Sequence, residues 1–223
     1  MTVNRYLVAF PASPRLYQNT RAFVDAVRAE PEVSHQALLD GITEDFITEV
    51  LNAFFDGPVQ ALGVTGSMAR VMDGVVSIIS RAARTMTSKV FRNVSIEEQY
   101  RLAEHFDAIE VTRDGRSYCA FPLDPELANE AVLMFEMFRQ GNGQPEQLQK
   151  VMRAICDGAI EYYFDRSVGC VSVGRFTRGL VSTGRATIAK AAHSALEKTL
   201  PGLHPKARQP VLDYFERMLM EAA

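Results

Sequence analysis

Two clusters of basic side chains are the residues in this sequence best placed to do chemistry. Arg70, Arg81, Arg84 and Lys89 fall in one segment, and Arg178, Arg185, Lys190 and His193 in another. Between positions 58 and 92 the bases, Arg92 included, face only Asp73, and between 167 and 200 five bases face only Glu197. Each segment nets +4 in a chain of total charge −3, which leaves −11 for the remainder. Guanidinium and ammonium groups gathered on a surface attract anions, so the pattern suits an acidic protein, an anionic lipid or a small anionic ligand. Nucleic acid is not expected of a chain with so small a net charge. The alternative is that both faces are solvated and pair with acidic helices of the same protein.

Other reactive residues form no recognisable site. Gly169 to Phe176 imitates a phosphate-binding GxxxxGK[ST] loop, but Arg175 replaces the lysine, Phe176 replaces the metal-binding hydroxyl and no buried strand precedes it. His35, His105, His193 and His204 lack the HxxxH or ExxH spacing of a helical metal site, so no metal is expected and no cofactor is indicated. Glu104, His105 and Asp107 read as an exposed face of a helix. Cys119, Cys156 and Cys170 form no CxxC pair and read as small buried hydrophobes in a reducing compartment. Phe55-Asp56 and Phe164-Asp165 recur at matching places; each aspartate is expected to cap a turn, or the two to meet and share a proton or ion.

The elements that would position these groups come from an apparent duplication. Arg5 to Arg28 aligns with Arg116 to Arg139 at an offset of 111, with seven identities in 24 positions. Farther on the offset is 109, matching Leu39, Phe55 and Asp56 to Leu148, Phe164 and Asp165. At the same offset Leu102, Phe106 and Asp107 match Val211, Phe215 and Glu216. Residues 1–113 and 116–223 are therefore expected to be two repeats packed as one body.

Each repeat reads as a strand followed by four helices. The strands are Arg5 to Phe10 and Arg116 to Phe121, each stopped by Phe-Pro because proline cannot donate to a ladder. Ser13-Pro14 and Asp124-Pro125 pair a capping acceptor with a first-turn proline and open the first helices. Second helices are expected over 34–56 and 145–165, and third helices over 64–91 and 173–200. A capping box, Ser95 to Glu98, opens the fourth helix of the first repeat, and 205–220 holds its counterpart. Asp114-Gly115 between 109–113 and 116–121 spells a two-residue hairpin. The fold class is all-α with a small β-hairpin element, in two tandem pseudo-symmetric strand-plus-four-helix repeats.

The third helices carry apolar residues at spacings of three and four, among them Val71, Val75, Ile78, Ile79 and Met86. They are also rich in glycine and serine. Glycine costs about 1 kcal/mol against alanine inside a helix, so tight packing of the two third helices on each other is expected to offset it.

With 47% hydrophobic and 23% charged residues, the 223-residue chain has an ordinary globular composition. The apolar run Tyr6 to Phe10 is too short for a signal peptide and no stretch is apolar enough to span a bilayer, so a cytoplasmic location is expected. Function reads first as a non-enzymatic binding or adaptor protein that engages its partner through the basic faces. An apolar-ligand pocket between the repeats, lined by methionines such as Met134, Met137 and Met152, is the alternative. An enzyme whose groups meet only in three dimensions is the third.

Overall fold

A computed structural model describes residues 6–63, 67–200 and 205–222. Arg5, Val64 and His204, assigned above to a strand, a helix and the histidine set, lie outside the described residues. The chain is mostly helical, with a small antiparallel sheet.

The first half runs β1 (Tyr6–Pro11), α1 (Pro14–Ala29), α2 (Gln36–Leu51), a π turn (Asn52–Asp56), α3 (Gly57–Leu62), α4 (Ser67–Val90), α5 (Ile96–Ile109) and β2 (Glu110–Arg113). The second half runs β3 (Arg116–Pro122), α6 (Pro125–Arg139), α7 (Pro145–Ala159), a π turn (Ile160–Asp165), α8 (Arg166–Gly169), α9 (Arg175–Thr199), α10 (Pro205–Glu216) and β4 (Leu219–Glu221).

Local chemistry explains the helix starts. The Ser13 hydroxyl accepts from the Leu16 N–H, and the Asp124 carboxylate accepts from the N–H groups of Glu126 and Leu127, each ahead of a first-turn proline. At α5 the capping box closes in both directions between Ser95 and Glu98. Asp114 and Gly115, at φ 51° and 72°, form the left-handed turn that a two-residue hairpin requires.

The sheet is larger than the expected hairpin. Its order is β2-β3-β1-β4, because β1 and β3 pair with each other and a last strand adds at the edge. In the centre Ala9 lies opposite Ala120, 111 residues on. At the flanks Glu110 pairs with Cys119 and Leu219 with Val8, so shifting the first pair by 109 and −111 gives the second. Leu219 and Met220, expected in the fourth helix of the second repeat, instead fall in β4.

Helices cover one face of the sheet, where Val8, Phe10, Cys119 and Phe121 join the main core. Across the molecule α4 packs along α9 more extensively than any other pair of helices. At Gly184 the Met86 side chain fills the space a Cβ would need. Close approach thus explains that glycine alone among the helical ones nearby, since Gly74 and Gly179 have open space around them. Val71 and Ile78, expected on the apolar face of α4, remain exposed at 41% and 50%. Among the described residues no helix is long and apolar enough to cross a membrane.

Candidate apolar binding site

Helices α2 and α7 both pass into a π turn, where the backbone N–H bonds the carbonyl five residues back: Gly57 to Asn52 and Arg166 to Glu161. A π turn adds one residue to the helical circuit and recurs at functional sites. Here it sets neighbouring aromatics, Phe54 with Phe55 and Tyr163 with Phe164, beside the space between the halves.

That space is an apolar cavity of about 120 Å³. The first half contributes Leu51, Phe54, Phe55, Ile79 and Ala83 to its wall. The second contributes Ile160, Tyr163, Phe164, Ile188 and Ala192, each 109 positions beyond its partner in the first set. The hydroxyls in the wall are spent on backbone: Thr43 donates to Leu39 O at 2.9 Å, Thr87 to Ala83 O at 2.9 Å and Ser167 to Tyr163 O at 2.9 Å. With its hydroxyls bonded to backbone, the wall offers little to hold water, and an apolar cavity only slightly larger is known to accept benzene or xenon.

Tyr163 is the centre of the wall. Its ring meets Phe10, Phe46 and Phe121 edge-on at centroid distances of 5.8, 5.3 and 5.3 Å. Its hydroxyl donates to the Cys119 carbonyl at 3.1 Å, tying the second π turn to the middle of the sheet. Complete burial pushes that phenol well above its ordinary pKa.

Other spaces adjoin the cavity. Beyond Phe54, Phe55 and Cys156 lies a void of about 50 Å³ that Met152, Leu196 and Leu200 help to line. On the other side, Thr43, Thr87 and Phe91 are shared with a polar vestibule of about 390 Å³ that also contains Asp40, Glu44, Ser88, Arg92 and Asn93. Of the methionines expected to line a pocket, Met152 does so at the smaller void, whereas Met134 is packed in the core.

The basic residues singled out by sequence divide into two groups. Arg84 holds Glu44 through Nε and Nη2, the closest contact being 2.5 Å. Arg185 Nε bridges both Asp165 oxygens at 2.8 Å, and His193 lies 2.7 Å from Asp157. Arg178 donates to the Val173 carbonyl at 3.4 Å. Arg70 is exposed on α4. Arg81, Lys89 and Lys190 are exposed and make no ion pair among the described residues. These side chains lie along α4 and α9.

Two other expectations are corrected. Asp56 and Asp165 make no side-chain cap. Burial and the nearby Asp73 push the Asp56 carboxyl upward, while Asp165 is taken by Arg185. His105 turns inward rather than lying on an exposed face: burial first, then Arg166, pushes its pKa down, while the Tyr162 carbonyl pulls the other way. Its neighbours Glu104 and Asp107 instead pair with Arg28 at 3.0 and 2.8 Å. Burial also raises the Cys119 and Cys156 thiols to about 12, which leaves them unreactive near neutral pH. Among the described residues no cluster of His, Cys, Asp and Glu is placed to hold a metal.

Sequence reasoning offered a pocket between the repeats as its alternative but missed the π turns and the aromatic side chains that wall the cavity. The one available signal was the aromatic pair before Asp56 and Asp165. Comparison with protein-family models, curated proteins and solved structures finds no significant match.

Proposed function

We propose that this chain is a non-enzymatic binding protein that holds a small apolar group in the cavity between its two halves. The observation that carries this reading is the cavity itself: about 120 Å³, walled by aromatic and aliphatic side chains, with its hydroxyls bonded to backbone. Evolution seldom leaves such a volume unfilled without use, because each missing methylene weakens a core. A thermal-unfolding titration tests it. Benzene at saturating concentration should raise the unfolding temperature, by about 2.7 kcal/mol of linkage at a hundredfold excess over Kd. Ala192→Leu, which fills the cavity from α9, should abolish the shift while leaving the fold intact. A wild-type protein indifferent to benzene would count against the reading.

The architecture underlying the cavity is, in the same proposal, a duplication with an approximate two-fold axis through the Ala9–Ala120 pair. Its support is the matched register of the flanking strands. Matched ion pairs add to it: Arg28 holds Asp107 at 2.8 Å, and their aligned counterparts Arg139 and Glu216 meet at 2.5 Å. Three free thiols fit a reducing, cytoplasmic setting.

A second reading keeps the basic faces as a surface for an acidic protein, anionic lipid or small anion. It is favoured by Arg81, Lys89 and Lys190, whose charges are not neutralised by ion pairs among the described residues. Binding to anionic vesicles that weakens steeply with salt and is lost in Arg81→Glu with Lys190→Glu would support it; salt-independent behaviour would remove it.

A further inference from the structure

We infer that the cavity is entered past Thr43, Thr87 and Phe91, and that its ligand is a small amphipathic molecule whose uncharged polar head rests in the vestibule. This rests on the proposed reading of the cavity and adds the direction and chemistry of the ligand.

The direction follows from a difference between the halves. Thr43, Thr87 and Phe91 line both cavity and vestibule. Their counterparts 109 residues on are Met152, Leu196 and Leu200, which line the apolar void of about 50 Å³ and not the vestibule. Ser167 in the cavity wall likewise corresponds to Pro58 in that void. Where the first half presents two hydroxyls and a ring at a polar opening, the second presents three aliphatic side chains around an apolar void. The core of the molecule thus meets a polar space toward α2 and α4, and an apolar one at the symmetry-related place.

The chemistry of the head follows from what the vestibule leaves unused. Glu44 is neutralised by Arg84, and Gln36 is spent on the Phe91 carbonyl, the Val94 N–H and Asp40. Arg92 and Asn93 remain as donors. Thr43 and Thr87, having given their protons to backbone carbonyls, remain as acceptors. Asp40 and Glu44 balance Arg84 and Arg92, so the site has no net charge to favour an ion. A hydroxyl or amide, able to donate and accept at once, matches it. The apolar body is bounded by the cavity at about one six-carbon ring.

A matched probe series on the wild-type protein tests this: benzene, benzyl alcohol, benzoate and benzylamine, with Kd read by calorimetry. Benzyl alcohol should bind roughly two- to tenfold tighter than benzene, the gain of one net hydrogen bond. Benzoate and benzylamine should bind more weakly than the alcohol, because their charges must be desolvated. Thr43→Met with Thr87→Leu writes the second half's aliphatic side chains into the first, as a plug. This variant should lose the preference for the alcohol and take up both ligands more slowly. Benzene binding with no preference for the alcohol, stronger binding of either ion, or a preference that survives in the plugged variant would overturn the inference while leaving the cavity reading intact. Failure of all four probes would overturn the reading beneath it. Should the plugged variant not fold, the wild-type series decides alone.

Discussion

The Tyr214 hydroxyl donates to the Ala53 carbonyl at 2.9 Å, from α10 into the first π turn, and its ring lies where a Cβ on Gly57 would stand. At the second π turn the residues 109 positions from Tyr214, Ala53 and Gly57 are His105, on α5 of the first half, and Tyr162 and Arg166, and the Tyr162 carbonyl again faces the ring. Each π turn is braced from the end helix of its partner half, by a phenol on one side and an imidazole on the other.

This bracing sets the first expectation. Gly57→Ala should destabilise by about 1–3 kcal/mol, the cost of overpacking against Tyr214. In a Tyr214→His background, which copies the bracing of the second π turn by His105, the same substitution should cost measurably less. Urea denaturation of the four proteins gives the coupling, and zero coupling would mean that ring and glycine are independent.

The contact of α4 with α9 gives the second. Gly184→Ala drives a Cβ into the Met86 side chain, and methionine yields more readily than a stiffer residue. A loss of about 1–2 kcal/mol is expected. Met86→Ala should erase that loss while carrying its own cavity cost. Equal effects of Gly184→Ala with and without Met86 would contradict the packing described.

Much of the fold was legible where backbone chemistry leaves a local mark. The Phe-Pro strand ends, the Ser13 and Asp124 caps, the Ser95–Glu98 box and the Asp114-Gly115 turn need only their own neighbours to form. The π turns left no such mark, since one inserted residue hardly disturbs the apolar period of α2 and α7. Strand β4 was hidden for the opposite reason: Leu219 and Met220 favour helix by propensity, and only pairing with Leu7 and Val8 of β1 draws them into the sheet. His105 reads as a surface residue between Glu104 and Asp107 until α8 is packed against α5. The cavity depends on all these long-range events, so no short motif could announce it.

Acid stability supplies the third expectation. Burial would push the Glu98 carboxyl up, but hydrogen bonds from the Ser172 N–H at 2.6 Å and from Ser95 outweigh it and hold the group at about 2. A pKa depressed below its ordinary 4.5 means that the folded state prefers the anion. The stabilisation is complete above 4.5 and is lost as pH falls from there toward 2. Glu98→Gln should cost roughly 1.5–3 kcal/mol at pH 7 and flatten the pH dependence in that window. An unchanged acid-unfolding profile would show that Glu98 does not clamp α5 to the loop before α9.

Thiol reactivity provides the fourth. Cys156 lines both the cavity and the smaller void, and burial holds its thiol at about 12. Iodoacetamide at pH 8 should leave Cys119 and Cys156 unmodified in the native protein and label both in urea. Rapid native labelling of Cys156 would mean that the cavity opens to water far more often than its packing suggests.

The central claim is that an apolar space between the halves receives a ligand, and diffraction from xenon-pressurised crystals tests it most directly. Xenon should appear in contact with Tyr163, Ile79 and Ile188, and should be absent from that place in Ala192→Leu. Xenon found only at the surface, or a collapsed wall with Phe54 and Tyr163 filling the space, would contradict the account.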